Sequence, residues 1–218
     1  MITWNGNFFH FPGNSLIEIV TAIHDYVIIF LFSISFIVVL RIMFRAIFSN
    51  FRIEFFERHE LERVWTLLPF LLLIFIVLPS ISVLYNLDTC LFCGICINIV
   101  GHQWYWSYII EDLGQEMEFD SYIIPSDIGV LRLIDVDNRL RIPCGVPSRF
   151  LITSADVIHS WTLPSFGVKA DAIPGRINQL CISRKRSGIF FGQCSEICGA
   201  NHRFMPIVLE IYPYKNIF

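Results

Sequence analysis

The residues best suited to chemistry lie in one stretch near the C-terminus, Gly192 to Met205, reading Gly-Gln-Cys-Ser-Glu-Ile-Cys-Gly-Ala-Asn-His-Arg-Phe-Met. Cys194 and Cys198 are four positions apart, His202 follows four later and Met205 three after that. Two thiolates, an imidazole and a thioether make a soft donor set, which favours copper. A mononuclear blue copper site uses one Cys, two His and a weak axial Met, so the second Cys is surplus to it. Two thiolates can instead bridge two coppers, and each metal then still needs an imidazole. His202 supplies only one. His159 is the best candidate for the other, because it sits in Thr153-Ser-Ala-Asp-Val-Ile-His-Ser-Trp161, a strand running into a loop upstream. His10, His24 and His59 lie in or beside the apolar N-terminal part, and His102 is inside an aromatic run. The alternative is a zinc or structural thiol loop, since tetrahedral Cys and His sites are common. Zinc rarely recruits Met, which weighs against it.

Composition says what must carry that loop. The 218 residues are 55% apolar with a mean hydropathy of +0.60, which points to a small domain joined to a membrane part. A net charge of −3 and the lack of any Lys/Arg run interleaved with aromatics exclude nucleic acid as a partner. Of the seven Cys, those outside the loop are Cys90, Cys93, Cys96, Cys144 and Cys181. They form no even framework, so reduced thiols are expected. Cys90-Leu-Phe-Cys-Gly-Ile-Cys96 superficially resembles an iron–sulfur run but is followed by no fourth ligand at suitable spacing. It is predicted to be a reduced, structural segment.

Residues 1–15 carry no Lys or Arg, so they do not open a standard cleaved signal peptide and are expected to stay on the chain. A first membrane span is predicted over about 16–40, with an uncharged core from Tyr26 to Leu40 preceded by Glu18, His24 and Asp25. A second is predicted over about 64–85, where Pro69 and Pro79 would kink the helix without breaking it. The connection, 41–63, holds Arg41, Arg45, Arg52, Arg58 and Arg63. The positive-inside rule therefore puts it in the matrix or bacterial cytoplasm, with both termini on the opposite side. Beyond Tyr85 the apolar runs shorten to strand length, at 98–110, 118–124, 131–136, 149–154, 179–183 and 207–212. Breakers such as Pro125, Asn138, Pro147, Pro164 and Gly175 separate them, which suits an antiparallel Greek-key sandwich. The predicted organisation is α+β: a tail and two-helix transmembrane hairpin over 1–86, then an all-β, cupredoxin-like domain over 87–218.

Six ordered motifs carry a family resemblance: Gly101-His-Gln-Trp-Tyr-Trp-Ser-Tyr108, Phe119-Asp-Ser-Tyr122, Asp137-Asn-Arg139, Asp156 to Trp161, Asp171-Ala-Ile-Pro-Gly-Arg176 and the Cys194–Met205 loop. The sequence resembles subunit 2 of cytochrome c oxidase, of the mitochondrial type. That resemblance implies a binuclear CuA centre of two copper ions, with His159, Cys194, Cys198, His202 and Met205 as side-chain ligands and Glu196 contributing its backbone carbonyl. The Glu196 carboxylate is then implied to bind magnesium or manganese shared with subunit 1, an assignment suited to a hard oxygen donor. Trp104 is implied to be the surface residue through which an electron enters from cytochrome c. Glu62 is implied to lie at the mouth of a proton pathway, although an acid in a first helical turn also complements the helix dipole.

The acids between Ser107 and Asp137, with Arg132 as the single base, suit steering of a basic cytochrome c. Ile109 and Ala155 occupy positions where relatives often carry acids. The implied function is electron entry to an oxidase: CuA takes electrons from cytochrome c and passes them to haem in subunit 1, where oxygen is reduced to water and protons are pumped. The implied surroundings are the mitochondrial inner membrane, its lipid and other oxidase subunits, with the copper domain in the intermembrane space. The end at Phe218 without an appended haem domain, and heavy Phe and Ile usage, favour the mitochondrial type. A nitrous oxide reductase domain would share the copper loop but should bring a large propeller. A membrane-anchored copper carrier should instead show a sparse, exposed thiol pair.

Overall fold

A computed structural model describes residues 12–48, 59–88, 93–112, 115–125, 131–184 and 186–213. The chain divides into a helical unit, Ile19–Asn86, and a strand-rich unit made of Met1–Glu18 with Leu87–Phe218.

Helix α1 spans Ser15–Ile47 and α2 spans His59–Asp88. Asn14 caps α1, its Oδ1 accepting the Ile17 backbone N–H at 2.9 Å. Both helices are long and apolar enough to cross a membrane; at 1.5 Å per residue α1 alone is about 50 Å long. Large apolar side chains such as Phe32, Phe36, Phe44, Leu68 and Phe75 are exposed, as expected when lipid rather than protein is the solvent. The hydroxyls of Ser33, Thr66 and Ser80 donate to the carbonyl one turn back, which satisfies them without water. Pro69 and Pro79 both lie inside α2.

In the strand-rich unit the larger sheet runs in the order β3 (Gln115–Ser121), β2 (Tyr105–Asp112), β1 (Ile95–His102), β5 (Ser148–Ser154) and β8 (Asn178–Ile182). A three-stranded sheet pairs β4 (Leu140–Pro143) with β10 (Pro206–Tyr212) and β10 with β9 (Gly188–Gln193), and a ribbon joins β6 (His159–Leu163) to β7 (Val168–Ala172). Strict alternation builds the core: in β5 every second residue from Ser148 to Ser154 is buried. Ile97, Ile99, Phe150 and Ile152 from the larger sheet form one apolar cluster with Leu140, Ile142, Ile207, Leu209 and Ile211 from the smaller one. Trp161 lies in the same cluster, stacked on Phe150 at 5.3 Å between centroids, and its indole N–H donates to the Tyr108 hydroxyl at 3.4 Å. The result is a cupredoxin-like β-sandwich.

Two strand expectations need correction. The run 98–110 is not one strand, because a turn at Gln103–Trp104 folds it into the β1–β2 hairpin. Trp104 therefore does not share a strand face with Trp106. The apolar run 131–136 is a turn with one isolated bridge from Val136 to Ile123. There the Asp135 carboxylate accepts the Val136 N–H and both Nε and Nη2 of Arg139, so local side-chain bonds replace a ladder. A third correction concerns the thiols: Cys181 is disulfide-bonded, not reduced.

Candidate metal centre

Strand β6 starts at His159, and β9 delivers the chain to Cys194 immediately after Gln193. Gly192 makes their meeting feasible: a Cβ there would stand 1.9 Å from the Thr162 carbonyl oxygen on β6. The Ser195 N–H then donates to the Ser160 carbonyl at 3.0 Å, locking the start of the loop to β6. A short 3₁₀ turn over His202–Phe204 ends the loop and leads through Met205 into β10.

This arrangement brings the six expected donor residues together. The donor atoms of His159, Cys194 and Cys198 all lie within 4.8 Å of one another, and all three residues are buried. His159 Nδ1 is 4.0 Å from Cys194 Sγ. Cys198 Sγ is 3.4 Å from His202 Nδ1 and 3.4 Å from Met205 Sδ, and the Glu196 carbonyl oxygen is 3.4 Å from Cys194 Sγ. Each sulfur thus has its own imidazole. The Glu196 residue is otherwise exposed, leaving its carboxylate outside the cluster.

Asp156 was not singled out by the sequence, yet it organises the site. Its Oδ1 is 2.8 Å from His159 Nε2, which leaves Nδ1 for the sulfur cluster, the usual way a carboxylate fixes the tautomer of a ligating imidazole. Its Oδ2 accepts the Gln103 N–H at 2.6 Å, so the same side chain pins the β1–β2 turn. Gly101 and Trp106 complete the wall around His159. A Cβ on Gly101 would be 2.9 Å from the imidazole Cδ2, and the Trp106 ring meets the imidazole edge-on at 5.8 Å.

Burial works against charge on His159, but hydrogen bonds with Cys194 and Asp156 outweigh it and raise its pKa. Burial likewise disfavours the Cys194 thiolate, yet bonds from His159 and from the Ser160 and Glu196 backbone lower its pKa overall. Burial and the neighbouring Cys194 push Cys198 up to about 12. Cys194 is therefore the readier thiolate of the pair.

Trp104 packs directly on this loop. Its indole N–H and the Gln103 side-chain amide donate to the same acceptor, the Cys198 carbonyl, at 3.3 and 2.7 Å. Trp104 is half-buried, and Gly199, at φ +122°, would touch its ring at 3.1 Å if it carried a Cβ. Next to it, His102, Tyr105 and Tyr122 stack in sequence at 4.6 and 4.5 Å. Glu62 belongs to the helical unit, in the first turn of α2, with its Oε2 3.4 Å from His59 Nδ1.

The sequence matches two family descriptions end to end: the transmembrane domain of cytochrome c oxidase subunit II over residues 3–83 and its periplasmic domain over residues 95–212. The chain belongs to the cytochrome c oxidase subunit II family. It is 46% identical over 204 residues to cytochrome c oxidase subunit 2 of Myxine glutinosa, covering 92% of this chain and 89% of that protein. The periplasmic domain of subunit II from Bradyrhizobium japonicum is 44% identical, with a TM-score of 0.52 over 56% of this chain and 86% of that one. A subunit II domain captured as a mixed disulfide with a thioredoxin-like protein is 41% identical, with a TM-score of 0.51, covering 58% of this chain and 87% of that one. The chain is accordingly a membrane-anchored, electron-carrying subunit of an oxidoreductase complex.

The donor set fits the copper that this family implies. Two buried sulfurs, two imidazoles and a thioether are soft or borderline donors, and no carboxylate oxygen competes from within the cluster. Because Asp156 holds His159 by the ring nitrogen remote from the sulfurs, Asp156→Ala should weaken copper retention by about 10- to 100-fold. Competition with a copper chelator of known affinity measures this. Wild-type retention in the variant would mean that Asp156 serves the turn alone.

Proposed function

We propose that the chain is the electron-entry subunit of a mitochondrial cytochrome c oxidase. His159, Cys194, Cys198, His202, Met205 and the Glu196 carbonyl would hold two coppers. Bound there, copper would supply a one-electron carrier. Cytochrome c delivers electrons at the Trp104 turn, and subunit 1 receives them. The observation that carries this reading is the separate imidazole available to each of the two cysteine sulfurs, at 4.0 and 3.4 Å. Trp104 supports it through its hydrogen bond to the Cys198 carbonyl, a direct link from the surface turn to the loop.

The test is stoichiometry. The purified full chain should retain two coppers, with one unpaired electron spread over both in the mixed-valence state. A single bound copper with a blue-copper spectrum would overturn the proposal.

The Glu196 carboxylate, exposed beside the sulfur cluster, is the proposed protein ligand for magnesium or manganese at the contact with subunit 1. Glu62 is the proposed entrance of a proton path, in keeping with its place in the first turn of α2. The proposed orientation puts residues 41–63 in the matrix and the strand-rich unit in the intermembrane space, since Arg41, Arg45 and Arg63 cluster at the helix ends around that connection. Protease added to the outer face of the inner membrane should therefore digest the region after α2 and spare the Arg-rich connection. Cleavage of the connection alone would reverse the orientation.

A further inference from the structure

The donor atoms of the metal centre arrive in two groups on separate stretches of chain. His159 opens β6 and Cys194 follows the end of β9, whereas Cys198, His202 and Met205 lie further along the loop that returns to β10. The Ser195 N–H on the Ser160 carbonyl ties the first group to the sandwich. At the far end of the loop, the Phe204 N–H closes the 3₁₀ turn on the Asn201 carbonyl at 2.8 Å. Between these ties the loop meets the β1–β2 turn, where Gln103 stands.

Gln103 is exposed, yet it hydrogen bonds toward both groups. Its backbone N–H donates to Asp156 Oδ2 at 2.6 Å, and Asp156 Oδ1 lies 2.8 Å from His159 Nε2. Its side-chain Nε2 donates to the Cys198 carbonyl at 2.7 Å. Three bonds thus run from the His159 ring through Asp156 and Gln103 to the main chain of Cys198, whose sulfur is 3.4 Å from both His202 Nδ1 and Met205 Sδ. Gly199 leaves room for the amide, since a Cβ there would stand 3.2 Å from Gln103 Nε2. The Trp104 indole reaches the same carbonyl at 3.3 Å, so Gln103 makes the closer contact. An exposed glutamine gives up side-chain freedom to hold such a bond, and one neutral bond returns about as much as that freedom is worth. Its consequence is therefore placement rather than stability.

We propose that Gln103 is a positioning residue that sets the spacing of the two halves of the metal centre, one held through Asp156 and His159, the other through the Cys198 carbonyl. This deepens the two-copper reading and rests on it. An electron is shared equally between two metals only when their surroundings match, and a loop free to drift at Cys198 would alter one side without the other. All three bonds join protein atoms, so they hold the loop whether or not metal is bound. A residue outside the ligand set thereby fixes the geometry that the ligands present, as outer partners of metal ligands do.

Gln103→Met and Gln103→Lys in the purified full chain test this. Methionine has the length of glutamine but no N–H donor, whereas lysine keeps an N–H donor with enough reach. In Gln103→Met, copper retention against a chelator should fall by about tenfold, the low end of what an outer partner of a ligand contributes. The paramagnetic resonance pattern should shift from an electron shared equally by two nuclei toward one lying mainly on a single nucleus. Gln103→Lys should restore both. In the metal-free chain, amide exchange over 198–201 should speed up by about three- to tenfold in Gln103→Met, as expected when a loop loses one hydrogen bond. A wild-type spectrum and wild-type retention in Gln103→Met overturn the proposal. So does a defect that Gln103→Lys leaves uncorrected, which would make it a matter of packing. A wild-type chain without a shared electron would strike at the two-copper reading instead. Loop exchange then decides the role of Gln103, faster exchange in Gln103→Met upholding it and unchanged exchange overturning it.

Discussion

Replacing Cys194 or Cys198 with serine is expected to abolish the shared-electron copper centre outright rather than weaken it. Each sulfur contacts a different imidazole, Cys194 beside His159 and Cys198 beside His202 and Met205. A serine hydroxyl does not ionise to replace a thiolate, so a single remaining sulfur cannot bridge in two places. The loss should be chemical and not structural. Both cysteines are almost fully buried, but serine is nearly the same size, and metal-free unfolding should shift by about 1 kcal/mol. Copper content and paramagnetic resonance read the centre, and thermal unfolding of the metal-free protein reads the fold. Either serine variant retaining two coppers and an electron shared between them would show that the thiolates do not bridge.

The metal loop was legible because its information is local. Four donors within twelve residues state a chemistry whatever the surrounding fold, and His159 could be found from its flanking strand. The two membrane-spanning helices were equally plain, since uninterrupted apolar sequence has few other uses. What stayed hidden depends on distant partners. Nothing in Gln103-Trp104 signals a turn: there is no Gly, Pro, Asn or Asp at either position. Asp156, 53 positions away, and the Cys198 carbonyl, 94 and 95 away, hold it. The same holds for Asp156 as a positioning residue, because an acid in a loop is unremarkable until its carboxylate is seen on His159. Strands β6, β7 and β9 were missed for a related reason. All three are short, β7 and β9 carry Lys169, Asp171 or Gly192 where a strand reading expects β-branched residues, and their pairing comes from the register with neighbours.

Trp104→Ala should slow electron delivery within the bound cytochrome c complex while leaving association nearly unchanged. The indole carries no charge, so long-range attraction is unaffected. Its removal takes away a hydrogen bond to the Cys198 carbonyl and opens the half-buried surface over the copper loop. A slowing of more than about tenfold, about 1.4 kcal/mol of activation free energy, is expected in the first-order step. Asp120→Asn should do the converse. Asp120 accepts from Ser107 on Oδ1 at 2.6 Å and from the Tyr122 hydroxyl on Oδ2 at 3.4 Å; Asn keeps one oxygen to accept from Ser107, and its amide nitrogen can donate to the Tyr122 hydroxyl instead, so charge is the main thing lost. Association should fall by a few-fold, on the order of what one exposed charge contributes. That loss should be largest at low salt, where the Debye length reaches about 30 Å at 0.01 M. Stopped-flow reduction of the copper centre at several ionic strengths separates the two, since the bimolecular rate carries the salt dependence and the saturating rate carries the transfer. If Trp104→Ala changed only the salt-dependent association and left the saturating rate intact, Trp104 would serve packing, and the electron would enter elsewhere. The stacked rings of His102, Tyr105 and Tyr122 beside it would then be the next residues to replace.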